Sequence, residues 1–245
     1  MSDSNDSSAP QPTEKNEIKL EAKRKDIRSY VIRGGRITEG QKAAFDRYWD
    51  QYGLSLYDGE ISSDKTFSNN APLVVEVGFG MGDSLLEMAK AEPDKNFVGI
   101  EVHPPGVGRL INSAGKDEIK NLRVYMADAV DVLNDCFADN SIDRFQLYFP
   151  DPWHKKKHHK RRIVQTEFSN LILKKLKVGG VFHLATDWEN YAEYMVEVLE
   201  PITGFKNQAG KDIFSPRPDF RPITKFEKRG ERLGHGVWDL LYEKM

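Results

Sequence analysis

Apolar residues gather along this chain into short unbroken runs, separated by stretches in which they recur every three or four positions. Leu73–Val77 is the first run and ends in glycines. Asn96–Glu101, Leu122–Ala127, Ile142–Phe149 and Gly180–Thr186 follow. Helical periodicity fills the intervals, at roughly 82–91, 105–117, 129–134, 164–177 and 188–200. Runs that are apolar throughout, rather than alternating, predict strands buried on both faces. Phe205–Gln208 and Val237–Glu243 add two last strands, expected as an antiparallel pair. Together these predict an α/β, doubly wound, Rossmann-like fold: a mostly parallel seven-stranded sheet with helices on both faces.

Upstream of this alternation the pattern is different. Residues 1–22 are rich in Ser, Asp, Asn, Pro, Glu and Gln and have little to bury, which predicts a disordered tail. Residues 23–71 read as a basic extension with one helix. Lys23, Arg24, Lys25, Arg28, Arg33 and Arg36 face one acid, Asp26. Thr38-Glu39-Gly40-Gln41 has the form of a capping box that opens a helix to about Gln51. Residues 58–71 are expected to be a polar loop, and 72–245 form the α/β domain.

Composition narrows the class. With 245 residues, 39% of them hydrophobic, the chain can bury one ordinary core and carry an appendage. One cysteine, Cys136, excludes an internal disulfide and a cysteine-based zinc cluster. No apolar stretch is long enough to span a bilayer, and the first residues lack the apolar core of a signal peptide. A cytoplasmic protein without membrane contact is expected.

Charge adds the most. The formal net charge is -2, yet six of the eight residues from Lys155 to Arg162 are lysine or arginine. No acid falls between Trp153 and Thr166, and the run follows directly on Pro150-Asp151-Pro152-Trp153. Positive charge this segregated, beside a carboxylate and an indole, marks a place to hold a polyanion while one of its bases is handled.

The first strand ends in Glu76-Val77-Gly78-Phe79-Gly80-Met81-Gly82. A ligand lying across a strand end needs close backbone approach, which side chains would block. A dinucleotide fingerprint spaces its glycines at 1, 3 and 6; here Gly78, Gly80 and Gly82 stand at 1, 3 and 5, behind an acid. This resembles the first motif of S-adenosylmethionine-dependent methyltransferases, whose cofactor carries an ammonium and a sulfonium that an acid suits. Glu101, at the second strand end, can accept from two ribose hydroxyls. Asp128, after the third, reads equally as a helix cap or as a group near the adenine. Each signal is weak singly; on three successive strands they point to an adenosine-containing ligand.

The fourth strand runs straight into Pro150-Asp151-Pro152-Trp153, where two prolines fix the backbone around a carboxylate. Here the chain resembles the bacterial tRNA (guanine-N7)-methyltransferase family. The carrying residues are Pro150 to Lys155, His158, Lys160-Arg161-Arg162, Ala185-Thr186-Asp187-Trp188, and Thr224-Lys225-Phe226-Glu227 with Arg229. The resemblance implies methyl transfer from S-adenosylmethionine to N7 of guanine 46 in the tRNA variable loop. It implies that Glu76, Glu101 and Asp128 bind cofactor and that Asp151 lies at the cofactor as the catalytic candidate. Lys155, Asp187 and Thr224 to Glu227 would contact substrate. Lys157, His158, His159, Lys160, Arg161 and Arg162 would lie along RNA.

Several residues admit plainer readings. Thr224 and Glu227 also form a capping box, Trp153 also reads as a packing residue that locks the turn, and Lys23 to Arg36 reads as an RNA-contacting arm or a solvated basic segment. His154, His158 and His159 do not make a metal site: they lack the neighbouring glutamate of a zinc helix, and six cations would repel the ion. Rival functions are methylation of an exocyclic amine, hydride transfer with a nicotinamide cofactor, and RNA binding without catalysis. No obligate protein partner is called for.

Overall fold

The computed structural model describes residues 29–30, 36–224, 227 and 236–245. The expected tail, the basic residues Lys23 to Arg33, and Lys225, Phe226 and Arg229 lie outside the described residues.

Helix α1 (Glu39–Tyr52) opens with the expected capping box: Gln41 N donates to Thr38 Oγ1 at 3.3 Å, and Thr38 N donates back to Gln41 Oε1 at 2.9 Å. Strand β1 (Gly53–Leu54) and short helix α2 (Ser63–Phe67) follow, the latter within the expected polar loop. The alternating part runs β2 (Leu73–Val77), α3 (Asp83–Ala91), β3 (Asn96–Ile100), α4 (Pro104–Lys116), β4 (Leu122–Tyr125), α5 (Ala129–Cys136) and β5 (Ile142–Tyr148). After a 3₁₀ turn at Lys156–Arg161 come α6 (Thr166–Lys175), β6 (Leu176–Thr186), α7 (Glu189–Leu199), β7 (Phe205–Asn207) and β8 (Trp238–Lys244).

Among the described residues the sheet has eight strands, in the order β1-β4-β3-β2-β5-β6-β8-β7. The expected count of seven is corrected by β1, which pairs parallel to β4 through Gly53 and Leu54. Two residues are too few to leave a period in the sequence. The β1-to-β6 portion is parallel, and β8 runs antiparallel to both β6 and β7, as anticipated for the last pair. Strand order reverses between β2 and β5, and a crevice at the carboxyl ends of those strands is the expected ligand position.

Both faces are covered. Val75, Val77, Phe145 and Phe182 pack with α5, α6 and α7, while Val74, Phe97 and Val124 pack with α1, α3 and α4. Phe145 meets Phe168 and Phe182 edge-on, with centroids 6.1 and 5.5 Å away. Truncating such a ring costs about 3–5 kcal/mol, a large part of a domain's stability. Helix α1 lies close against α4: a Cβ on Gly115 would come 2.4 Å from the Tyr48 ring. That contact anchors α1 to α4.

Candidate active site

The glycine turn after β2 has three left-handed residues, Gly78 (φ 74°), Gly80 (φ 59°) and Gly82 (φ 77°). L-residues are strained there, so the glycines are required by backbone shape. Around Gly78 and Gly80 no atom lies within 4 Å of where a Cβ would stand, so the turn presents bare backbone to open space. The amide of Gly82 is used internally, donating to Phe79 O at 2.9 Å.

Glu101 ties this turn to β3. Its Oε2 accepts from Gly80 N at 2.8 Å, and its Oε1 accepts from Val102 N at 2.6 Å and His103 N at 3.0 Å. Burial raises its pKa against the opposing pull of those amides. Two carboxylate oxygens have about four acceptor sites, so three amides leave room for a ligand hydroxyl. Asp128 caps α5, its Oδ1 accepting from Val130 N at 2.8 Å.

Glu76 lies deeper, 2% exposed, on the sheet face shared with Val74. Its Oε2 has no hydrogen-bond partner, nor has Oε1 of Gln146, the residue beside it in β5. Burial pushes the Glu76 carboxyl up to about 8; Arg144 opposes this and Glu101 adds to it. A buried, unpartnered carboxyl is costly unless something cationic or hydrogen-bonding joins it. The glycine turn and this orphan acid therefore fit a ligand with an ammonium group and a ribose.

Asp151 and Asp187 stand on neighbouring strand ends. The last ladder bond joins Phe149 N to Ala185 O at 2.7 Å, and each aspartate follows its own ladder residue by two positions. Both are exposed. The Asp151 turn is bounded by left-handed, non-glycine residues, Phe149 (φ 50°) and Trp153 (φ 48°). Such conformations cost about 1–3 kcal/mol each and cluster at functional sites. Trp153 locks the turn in place: its Nε1 donates to Ser29 O at 3.2 Å, and Arg161 lies over its ring at 4.2 Å.

The basic run does not point one way. Lys155, Lys156, Lys157 and Lys160 are exposed, while His158, His159 and Arg161 are half-buried. Burial and the neighbouring lysines depress the His158 pKa. Arg162, expected along RNA, faces inward and is 2% exposed. It donates to Pro152 O at 2.9 Å and Asn190 Oδ1 at 3.0 Å, under the rings of Tyr191 and Tyr194. It braces the turn from behind rather than meeting solvent.

Glu227 is likewise buried. The capping box is complete, with Thr224 N donating to Glu227 Oε2 at 2.8 Å and Glu227 N to Thr224 Oγ1 at 3.1 Å. Its remaining oxygen faces Arg221 Nη1 at 2.7 Å. Sequence reading missed Arg221 and the buried series that leads from it through Asp239 to His183 and Tyr148. A faint signal existed: an acid and an imidazole within the apolar runs Val237–Glu243 and Gly180–Thr186. Elsewhere, a cavity of about 550 Å³ lined by Thr166, Asn170, Tyr194 and Thr203 contains none of the candidate residues.

The family model described as "Putative methyltransferase" matches residues 70–240. A tRNA (guanine-N(7)-)-methyltransferase of Saccharophagus degradans is 64% identical over 224 residues, covering 91% of this chain and 98% of that protein. The chain belongs to the tRNA (guanine-N7)-methyltransferase family. A second member, from Pseudomonas putida, is 58% identical over 89% of this chain and 91% of its own length. Among solved structures, an antibiotic-related methyltransferase superposes with TM-score 0.54 at 13% identity, over 78% of this chain and 95% of that one. That likeness is one of fold alone. Among the described residues, no helix is long and apolar enough to cross a membrane.

Proposed function

We propose that this chain methylates N7 of a guanine in tRNA, at position 46 of the variable loop, using S-adenosylmethionine, in the cytoplasm. One observation carries the reading. An open glycine turn with an orphan buried acid sits at the same end of the sheet as a rigid, strained turn that presents Asp151. Family membership and the exposed lysines beside that turn support tRNA as the substrate.

The site residues divide the work. Glu76 would meet the cofactor's ammonium, Glu101 one of its ribose hydroxyls, and Gly78 and Gly80 would let its chain lie on backbone. When bound, S-adenosylmethionine supplies a methyl group already activated on a sulfonium. Guanine N7 carries a lone pair and no proton, so no general base is required. The protein's task is alignment and charge stabilisation. Asp151 and Asp187 would accept from guanine N1–H and N2–H₂, two adjacent donors that adenine lacks, and would turn N7 inward. They would also face the positive charge that develops on the base. Lys155, Lys157 and Lys160 would hold phosphates without reading sequence.

Incubation with methyl-labelled S-adenosylmethionine and unmodified tRNA tests the reading. Label is expected at one alkali-labile N7-methylguanine in the variable loop. Label on an exocyclic amine, or none, would overturn it.

A further inference from the structure

Arg221 is 1% exposed, and its charge is committed inside the protein. Nε and Nη2 donate to Oδ1 and Oδ2 of Asp239, both at 2.8 Å, a two-pronged geometry that fixes the guanidinium plane. Its Nη1 stands 2.7 Å from Glu227 Oε1, an ion pair whose hydrogens are poorly aligned. The chain continues behind Asp239. His183 Nε2 lies 2.7 Å from Asp239 Oδ1, and His183 Nδ1 lies 2.8 Å from the Tyr148 hydroxyl. Burial depresses the His183 pKa, so the neutral ring fits. Nε2–H then donates to Asp239, and Nδ1 accepts from the Tyr148 O–H.

The two ends of this chain matter. Glu227 closes the box with Thr224, and Tyr148 directly precedes Phe149-Pro150-Asp151. The links therefore run from Glu227, in the stretch expected to contact substrate, to the strand that carries Asp151. Burying a cation between two carboxylates is not an economical way to gain stability; apolar side chains often do as well. What the arrangement supplies is direction, because a guanidinium fork holds its partners in one plane.

We propose that Arg221, clamped by Asp239, is a positioning residue: it holds Glu227, and Thr224 bonded to it, in place relative to the Asp151 turn and so fixes the angle at which guanine is presented. This rests on the proposed methyl transfer to guanine. Arg221 acts through its neighbours: it pairs with Glu227 on one side, and its guanidinium carbon lies 5.9 and 5.8 Å from the ring centres of Tyr148 and Phe149 on the other.

The test compares wild type with Arg221→Lys, which keeps the charge but not the fork, and with Asp239→Asn. Turnover on tRNA, KM for tRNA, affinity for S-adenosylhomocysteine and thermal melting are measured on each folded protein. A displacement of about 1 Å at the base is expected to lower kcat by roughly 100-fold. KM for tRNA and S-adenosylhomocysteine affinity should be unchanged, a split that general loosening of the fold would not give. Wild-type kcat in a folded Arg221→Lys or Asp239→Asn overturns the proposal, as does a loss shared equally by cofactor affinity. Should both fail to fold, Tyr148→Phe deletes only the far hydroxyl. A lower kcat at unchanged KM supports the chain, and wild-type kcat refutes it. If wild type itself leaves tRNA unmethylated, the functional reading fails instead, which the control lane reports separately.

Discussion

A Cβ on Gly106 would stand 1.9 Å from the carbonyl oxygen of Gly80. The N-terminal turn of α4 thus rests directly on the glycine turn, backbone against backbone. Gly106→Ala must push the two apart, and overpacking of this kind costs about 1–3 kcal/mol. Displacing the turn should make S-adenosylhomocysteine bind about tenfold more weakly by calorimetric titration, tenfold corresponding to about 1.4 kcal/mol. Unchanged affinity would remove Gly80 from the cofactor site.

Glu76 makes cofactor binding depend on pH. Its carboxyl, ordinarily at 4.5, stands at about 8 in the folded protein, so it carries a proton at neutral pH. The ammonium of the ligand needs the carboxylate, and binding must then release that proton. Affinity for S-adenosylhomocysteine should fall as pH drops below about 8, and titrations at pH 7 in buffers of different ionisation heat should reveal proton release. The same shift acts on the free protein. Between 4.5 and about 8 the folded state binds more protons than the unfolded state, so this group's contribution to stability declines as pH rises through that window. Glu76→Gln should abolish both effects.

Asp151→Asn keeps the shape of the turn but replaces an acceptor with a mixed group. Removing one well-placed electrostatic interaction should lower kcat by about 100-fold or more. S-adenosylhomocysteine affinity, read by the same titration, should stay level. Full turnover with intact cofactor binding would mean that Asp151 neither orients nor stabilises the base.

The basic run should divide in mutagenesis as it does in space. Arg162→Met removes charge-assisted bonds to Pro152 and Asn190, at a cost of about 2–3 kcal/mol, or roughly 5–10 °C in melting temperature. Lys157→Glu and Lys160→Glu, both at exposed positions, should leave melting unchanged and weaken tRNA binding. Each should flatten the salt dependence of binding by about 0.7–0.9 in logarithmic slope for every phosphate that is no longer neutralised. Equal effects of all three on melting would contradict the inward placing of Arg162.

Chain order, the identity of the longer strands and helices, and the motifs at the strand ends were legible in the sequence; two-residue β1 and five-residue α2 were not. Leu73–Val77 could be read because a buried parallel strand has to be apolar on both faces. The glycines at 78, 80 and 82 could be read because only glycine sits comfortably at φ near 70°. Direction and partnership were left to the tertiary structure. A run of lysines and arginines has the same formal charge whichever way it faces, so burial of Arg162 became visible only once Asn190, Tyr191 and Tyr194 of α7 lay against it. Glu227 carries a motif, yet it pairs with Arg221, which meets Asp239 of β8 eighteen residues away. Local pattern reports what each segment must bury; which charges end up facing each other depends on how distant segments meet, and only the packed sheet decides that.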